Sequence, residues 1–222
     1  MPRSRSKIRP KPPSGPFPTY EEEAALLGRG YSLVAGLDEV GRGPLAGPVV
    51  AGVVILPPHI ERPWINLVRD SKLMTPSQRE TVASYIEEEA LGAQTGAASA
   101  EEIDELGIVG ATNAAMKRAL DSLALMPQYL LLDAFPLPGV DIPQNPIVHG
   151  DALCLSIAAA SVVAKVTRDK FMVELDATYP GYGFASNKGY ATRRHMLALE
   201  ELGPCPVHRY SFAPVKDSGA KR

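Results

Sequence analysis

Residues 34–56 constrain the fold of this chain more than any other segment of its sequence. They form two apolar, largely β-branched runs on either side of a turn at residues 41–44, a pattern that predicts two strands and a tight connection. Two adjacent acids, Asp38 and Glu39, end the first run among apolar neighbours. Carboxylates inside a sheet are costly unless they are paired or bind a metal ion. The sequence therefore predicts that other groups meet them there.

Periodicity and capping signals further along the chain predict alternating helices and strands. Helices are predicted at about residues 20–27, 75–89, 110–123, 156–179 and 192–202, and strands at 93–98, 129–132 and 146–148. Ser99 and Glu102 match a capping box. Residues 181–189 are predicted to form a loop, and residues 208–215 an extended segment that folds back. This order, together with an early hairpin, indicates an α/β domain with a mixed sheet.

The composition is typical of a soluble globular domain. The chain has 222 residues, of which 45% are hydrophobic, a net charge of -2 and two isolated cysteines, which predicts one packed domain in a reducing compartment. No apolar run approaches the roughly 20 residues needed to span a bilayer. Residues 1–19 are basic and rich in proline, which predicts a disordered tail and not a secretory signal. We therefore expect a cytoplasmic protein with no membrane partner.

Two further acids follow apolar segments in the same way as the first pair. Asp133 ends the strand predicted at 129–132, and Asp151 follows the strand predicted at 146–148. Acids from separate strand ends can meet at one sheet edge, where their repulsion requires divalent cations, and oxygen ligands suit Mg²⁺ or Mn²⁺. Two such ions activate a water and stabilise the leaving oxygen in phosphodiester hydrolysis. For any single acid, a plain strand-end or N-cap role is the alternative.

The Gly-Arg-Gly turn at residues 41–43 lies directly after the first acid pair. Glycines let backbone amides approach a sugar or phosphate closely, and arginine supplies charge-assisted hydrogen bonds, although a hairpin turn favours glycine for its own reasons. Lys165 and Arg168 lie three residues apart on the long helix and can share a face. With Tyr190 they belong to a basic and aromatic cluster that suits nucleic acid, with solvated helix faces as the alternative.

Two other hydrolase classes are disfavoured by residue spacing. The four histidines show no HxxxH pair, which argues against a zinc hydrolase. Ser161 lies in an alanine-rich helix start without a GxSxG elbow, which argues against a serine hydrolase.

Eight segments resemble the motifs of the ribonuclease HII family in order and spacing, from about residue 33 to 216. They are residues 37–48 (LDEVGRGPLAGP), 70–72 (DSK), 132–133 (LD), 150–151 (GD), 156–161 (SIAAAS), 164–169 (AKVTRD), 187–190 (NKGY) and 208–212 (HRYSF). The resemblance implies a ribonuclease H-like fold, with a mixed central sheet flanked by helices. It divides the chain into a catalytic domain at 20–180 and a C-terminal helical appendage at 181–222 that contributes to substrate binding.

The resemblance also implies an activity and its partners. The expected enzyme is a monomeric endonuclease that uses Mg²⁺ or Mn²⁺ to cleave the RNA strand of RNA/DNA hybrids. It also nicks ribonucleotide-containing duplex DNA on the 5′ side of a single ribonucleotide. Both reactions leave 3′-hydroxyl and 5′-phosphate ends, and they serve ribonucleotide removal from DNA and RNA primer removal.

Residue roles follow from the same resemblance. The implied metal-binding catalytic carboxylates are Asp38, Glu39, Asp133 and Asp151. The implied contacts to the 2′-hydroxyl and the adjacent phosphate are Gly41, Arg42 and Gly43. Tyr190 is expected to stack on the sugar where RNA gives way to DNA. Further candidates for phosphate contacts are Lys72, Lys165 and Arg168.

The chain departs from the family's usual pattern at three places, none of which is one of the four acids. Leu73 and Leu153 stand where basic residues are common, which weakens the case for phosphate contacts there. Residues 134–138 read Ala-Phe-Pro-Leu-Pro, where many members have glycine.

Two alternatives remain open. Another nuclease of the same fold, such as a junction resolvase, would share the acids, but the Gly-Arg-Gly turn beside them argues against it. A catalytically silent nucleic-acid-binding module would be favoured by a missing acid, and all four acids are present.

Overall fold

The computed structural model describes residues 17–58 and 63–217, and a five-stranded mixed sheet forms its centre. In chain order the strands are β1 (Val34–Val40), β2 (Val49–Ile55), β3 (Gly92–Ala98), β4 (Tyr129–Asp133) and β5 (Gln144–Ile147). Their order across the sheet is β3-β2-β1-β4-β5. The strand pairs β1–β2 and β2–β3 are antiparallel, whereas β1–β4 and β4–β5 are parallel. The predicted hairpin and mixed sheet are confirmed.

Helices cover both faces of this sheet. They are α1 (Glu21–Gly28), α2 (Pro76–Glu89), α3 (Ala100–Asp121), α4 (Gly150–Leu153), α5 (Leu155–Thr178), α6 (Phe184–Asn187), α7 (Arg193–Leu202) and α8 (Ala213–Lys216), with 3-10 turns at Pro63–Leu67 and Ser71–Leu73. The helices α5 and α2 share a core on one face, and α3 packs on the other. None of the helices in the described part of the chain is long and apolar enough to cross a membrane.

The long helix α5 lies against the backbone of the two central strands because glycines leave room for it. A Cβ on Gly36 would lie 2.2 Å from the carbonyl carbon of Ser156. A Cβ on Gly52 would lie 2.3 Å from the carbonyl oxygen of Ala160. The start of α5 is alanine-rich and fully buried there. This close approach fixes the start of α5 against β1, the strand that carries the first acid pair.

Capping boxes begin both α2 and α3, and the one at Ser99 and Glu102 was predicted. In α3 the Ser99 hydroxyl accepts from the Glu102 amide at 3.2 Å, and the Glu102 carboxylate accepts from the Ser99 amide at 2.9 Å. The helix predicted at residues 110–123 is longer than expected, because it begins at this cap. Gly107, with φ of 70°, interrupts its helical geometry. A glycine in that conformation bends the helix without ending it.

The segment after α5 folds back onto the connection between β1 and β2. The Leu45 amide donates to the Gly189 carbonyl at 2.8 Å, and the Leu45 carbonyl accepts from the Arg209 amide at 2.8 Å. The Gly47 amide donates to the Val207 carbonyl at 2.9 Å. The predicted C-terminal appendage is therefore joined to the β1–β2 connection by backbone hydrogen bonds.

Two local predictions for this segment were wrong. The loop predicted at residues 181–189 contains the short helix α6, and the extended segment predicted at 208–215 ends in α8. Pro214 stands in the first turn of α8, where its missing amide costs no helical hydrogen bond. Pro214 therefore suits the start of a helix.

The tail predicted at residues 1–19 lies outside the described residues as far as position 16. Thr19 does not continue it, because the Thr19 amide donates to the Leu153 carbonyl and its carbonyl accepts from the Leu155 amide, both at 2.9 Å. Thr19 is therefore part of the folded domain, where it holds the junction between α4 and α5.

Candidate active site

The two adjacent acids of β1 point to opposite faces of the sheet, because successive side chains of a strand alternate. Asp38 shares the α5 face with Gly36, is 4% exposed and accepts a hydrogen bond from Ser161 of α5. Glu39 lies on the α3 side, where its Oε1 is 3.1 Å from Nη1 of Arg42. The acid pair therefore flanks the end of β1.

Asp133 ends β4 at the same edge of the sheet. Leu37 pairs with Leu132 in the parallel register of β1 and β4. Asp38 and Asp133 each follow one of these residues, so they are neighbours across the two strands. The Asp133 Oδ1 accepts from the Gly150 amide at 2.8 Å, which ties β4 to the start of α4.

Asp151 enters the site from the first turn of α4 and is buried. Its Oδ2 lies 2.9 Å from the Lys72 ammonium. The preceding Gly150 lets α4 approach closely, since a Cβ there would lie 3.5 Å from Oδ1 of Asp133 and 2.6 Å from Cδ1 of Ile157. All four acids predicted from the sequence are therefore brought to one edge of the sheet.

The crowded acids resist ionisation. Burial raises the pKa of Asp38 well above its ordinary value, and the charges of Glu39 and Asp133 raise it further. Burial also raises the pKa of Glu39, against the opposing charge of Arg42, and the pKa of Asp133. A cation at this edge would favour the ionised forms of all of them.

Lys72 supplies positive charge to this edge. Burial alone would lower the pKa of Lys72, but its hydrogen bond to Asp151 and the charges of Asp151, Asp70 and Asp38 together raise it. The side chain is 76% exposed, so it can leave Asp151 without opening the core. Among residues 17–58 and 63–217, no three His, Cys, Asp or Glu side chains are already placed to hold one ion. A phosphate contact for Lys72 stays a prediction.

The Gly-Arg-Gly turn and Tyr190 meet beside the acids, although they are far apart in sequence. A Cβ on Gly43 would lie 3.9 Å from Cε1 of Tyr190. The Tyr190 residue is 46% exposed, and Arg42 is also partly exposed. Gly41 has φ of +95°, a conformation that L side chains rarely adopt. The turn and the ring thus border open space next to the acids.

The structure contradicts the prediction that Arg168 contacts phosphate. Arg168 is fully buried, and its guanidinium donates to the carbonyl oxygens of Pro48, Lys188 and Ala46 at 2.9, 3.0 and 3.3 Å. The side chain runs into the protein, where these three carbonyl oxygens satisfy its guanidinium. Arg168 therefore bonds the connection between β1 and β2 and does not face a substrate phosphate.

Arg209 has a similar role that was not predicted from the sequence. It is fully buried, and its guanidinium donates to the carbonyl oxygens of Gly41, Arg42 and Gly47 at 2.6, 2.9 and 2.9 Å. The signal available in the sequence was its position within the HRYSF segment at 208–212.

Two other polar residues of α5 have defined partners. Lys165, a predicted phosphate contact, forms an ion pair with Asp169 at 2.6 Å, and its substrate role stays a prediction. Ser161, which was set aside as a nucleophile, bonds Asp38 and also Ser71, with 2.9 Å between the two hydroxyl oxygens. Ser161 therefore orients a carboxylate.

Comparison with known proteins identifies the family. The sequence model described as Ribonuclease HII matches residues 35–215. This chain belongs to the ribonuclease HII family. A curated Ribonuclease HII from Dehalococcoides mccartyi is 50% identical over 204 residues, which are 92% of this chain and 97% of the relative. The chain is therefore a ribonuclease H enzyme, as predicted, and enzymes of this family depend on divalent metal ions.

Solved structures agree with this assignment. The crystal structure of ribonuclease H2 from Pyrococcus horikoshii matches with a TM-score of 0.70 and 28% identity, covering 84% of this chain and 96% of that one. The structure of Bst-RNase HIII in complex with Mn²⁺ matches with a TM-score of 0.65 over 84% of this chain and 68% of that one. At 19% identity, this second match concerns the fold alone. The predicted ribonuclease H-like fold is confirmed.

Ala134 directly follows the third acid, Asp133, and its φ is 60°. That conformation costs a non-glycine residue about 1–2 kcal/mol, whereas a glycine adds about 0.4–1 kcal/mol of unfolded-state entropy. We expect Ala134→Gly to raise the free energy of unfolding in urea by up to about 1 kcal/mol. Ala24→Gly in the exposed face of α1 is the control, with an expected loss of about 1 kcal/mol. Equal losses in both variants would contradict the strain at Ala134.

A buried pair of histidines connects Tyr190 to the C-terminal segment. His195 Nδ1 lies 2.9 Å from the Tyr190 carbonyl oxygen and must donate to it. The His195 Nε2 therefore accepts from the Nε2 of His208, 3.0 Å away, and the His208 Nδ1 accepts from the Cys205 amide at 3.0 Å. Both rings are fully buried. Burial lowers the pKa of both rings, so both imidazoles are neutral at neutral pH.

Acid is expected to destabilise the protein through that pair. Burial, with the charge of His195, lowers the pKa of His208 to about 4, below its unfolded value. Stability from the neutral ring is therefore complete above about pH 6.5 and is lost as the pH falls towards 4, by on the order of 3 kcal/mol. Urea unfolding between pH 7 and pH 4.5 measures the slope. His208→Gln should flatten it, whereas substitution of the exposed His149 by Asn should not.

Proposed function

We propose that this protein is an endonuclease that hydrolyses the RNA strand of RNA/DNA hybrids and nicks duplex DNA on the 5′ side of single ribonucleotides, leaving 3′-hydroxyl and 5′-phosphate ends. One observation carries the proposal. Four carboxylates share a sheet edge with an open Gly-Arg-Gly turn and the exposed ring of Tyr190. Acids alone would suit many nucleases, but a glycine turn and an aromatic ring beside them suit recognition of a sugar and its phosphate.

The donor set fits a hard divalent cation such as Mg²⁺ or Mn²⁺. Its ligands are carboxylate oxygens, and because burial and mutual repulsion raise the pKa values of Asp38, Glu39 and Asp133, a bound cation would stabilise their ionised forms. Ser161 and the Gly150 amide orient two of the carboxylates from the protein side. Two ions held there would supply an activated water and would stabilise the leaving oxygen. The residues proposed to hold them are Asp38, Glu39, Asp133 and Asp151.

The chain's own residues would recognise the ribonucleotide. The amides and glycine backbone of residues 41–43 can come close to a 2′-hydroxyl and its phosphate, and Arg42 can bond the phosphate. Tyr190 can stack on the deoxyribose at the RNA–DNA junction. Lys72 and Lys165 are proposed for phosphates farther along the strand, once each leaves its present carboxylate.

We further propose a monomer that works in a reducing compartment such as the cytoplasm. Both cysteines, Cys154 and Cys205, are free and buried, which suits a protein that needs no disulfide. Light scattering of the purified protein tests the oligomeric state.

One gel assay tests the proposed function. A duplex with one ribonucleotide should be nicked on its 5′ side in Mg²⁺ and in Mn²⁺, and should stay intact in EDTA or when the ribonucleotide is replaced by deoxyribonucleotide. An intact ribonucleotide duplex together with cleavage of all-DNA branched substrates would favour a junction resolvase. Hybrid binding that is unaffected by Asp133→Ala, without cleavage in any metal, would favour a silent binding module.

A further inference from the structure

Two buried arginines hold the connection between β1 and β2 from the protein interior. Arg168 comes from α5 and Arg209 from the C-terminal segment, and both are fully buried. Their guanidinium groups bond five carbonyl oxygens of one short stretch. These carbonyls belong to Gly41, Arg42, Ala46, Gly47 and Pro48.

Neither arginine lies within ion-pair distance of a carboxylate in the described part of the chain. Burial, with the charge of Arg168, lowers the pKa of Arg209 to about 9, so both remain charged at neutral pH. Two unpaired buried charges are costly, and carbonyl dipoles are what satisfies them. Core packing alone does not require two buried arginines, so the arrangement indicates that they maintain a particular conformation of the β1–β2 connection.

The inward carbonyls determine where the neighbouring amides point. In a trans peptide the carbonyl and the following N–H lie on opposite sides, and no cis peptide occurs in the described residues. Because the Gly41 and Arg42 carbonyls face Arg209, the amides of Arg42 and Gly43 face the other way. Neither amide donates to another group among residues 17–58 and 63–217.

We infer that Arg168 and Arg209 are positioning residues, whose guanidinium forks draw the carbonyls of residues 41–48 inward and thereby present the Arg42 and Gly43 amides to the ribonucleotide. This inference rests on the proposed function of the turn. Neither arginine touches the substrate. They give the turn its selectivity for a 2′-hydroxyl by fixing two donors before the substrate arrives, so that no ordering is needed on binding.

The test compares binding of two duplexes, one with a single ribonucleotide and one all-DNA, in Mg²⁺. The protein carries Asp38→Asn to prevent cleavage, alone or with Arg209→Lys, Arg209→Met or Arg168→Lys. The measured quantity is the selectivity ratio, which is the dissociation constant of the all-DNA duplex divided by that of the ribonucleotide duplex. A merely structural role would change the active fraction and leave this ratio unmoved. Arg118→Lys is the control, because Arg118 also donates to a carbonyl, that of Ala97, but lies outside the turn.

Each arginine variant is expected to lower the selectivity ratio at least about tenfold, with little change in all-DNA binding. Lysine keeps the charge but not the fork, so Arg209→Lys should fail almost as badly as Arg209→Met. An unchanged ratio in variants that fold, or full rescue by lysine, would overturn the inference. If the Arg209 variants do not fold, the selectivity ratio of the Arg168→Lys variant still tests the inference. If the parent protein shows no preference for the ribonucleotide, the proposed function itself fails.

Discussion

Asp38→Asn is expected to lower the cleavage rate at least about 10³-fold, which corresponds to about 4 kcal/mol of lost transition-state stabilisation. Asp38 is the most enclosed acid of β1 and neighbours both Glu39 and Asp133. Asparagine keeps the shape of the side chain and can still bond Ser161, but it removes the charge that a divalent cation needs. Steady-state cleavage of a single-ribonucleotide duplex in Mg²⁺ and in Mn²⁺ measures the loss.

The thermal melt of the same variant separates lost chemistry from lost structure. Because burial raises the pKa of Asp38, a neutral asparagine should leave the metal-free Tm unchanged or higher. Added Mn²⁺ should then raise the Tm less than it does in the parent protein. The control is Asp141→Asn in an exposed loop, which should change neither rate nor Tm. Full activity in Asp38→Asn would remove this carboxylate from the mechanism.

Gly41→Ala is expected to lower cleavage at least about 100-fold and the free energy of unfolding by about 2–3 kcal/mol. Gly41 has φ of +95°, and an added Cβ would lie 2.2 Å from Nε of Arg168 and 2.8 Å from the Pro48 carbonyl oxygen. The backbone and the buried guanidinium cannot both keep their places. We expect a larger rise in KM than a fall in kcat, because the acids of β1 are left intact.

Gly30→Ala separates backbone strain from the clash. Gly30 has φ of +94°, almost the same as Gly41, but nothing lies within 4 Å of its added Cβ. This control should lose about 1–2 kcal/mol of stability from strain alone and keep its cleavage activity. Equal activity losses at both positions would mean that the contact between Gly41 and Arg168 is unimportant.

The sequence was most informative where a local pattern of residues, such as a buried acid or a helix cap, has a single stable arrangement. Two acids in an apolar strand require partner groups, and Asp133 and Asp151 each follow an apolar run elsewhere in the sequence. Parallel pairing of β1 with β4, and of β4 with β5, then places strand ends together, which the alternation of strands and helices already favoured. Capping boxes were predictable for the same reason, since their hydrogen bonds join residues three apart.

The arginines could not be assigned from sequence, because a buried arginine and a phosphate-binding arginine look alike in one dimension. Helical spacing predicted that Arg168 shares a face with Lys165, and the family resemblance made both candidates for phosphate contacts. Their tertiary contacts distinguish them. Loop carbonyl oxygens accept from Arg168, whereas the carboxylate of Asp169 pairs with Lys165. Arg209 was missed because its partners precede it by more than 160 residues.

That long separation also orders events during synthesis. The acids of β1, β4 and α4 have all emerged by Asp151, but the Gly-Arg-Gly turn gains its last supports only with Val207 and Arg209. The turn is therefore the last part of this region that can reach its supported conformation as the chain is synthesised, later than the strands that carry the acids.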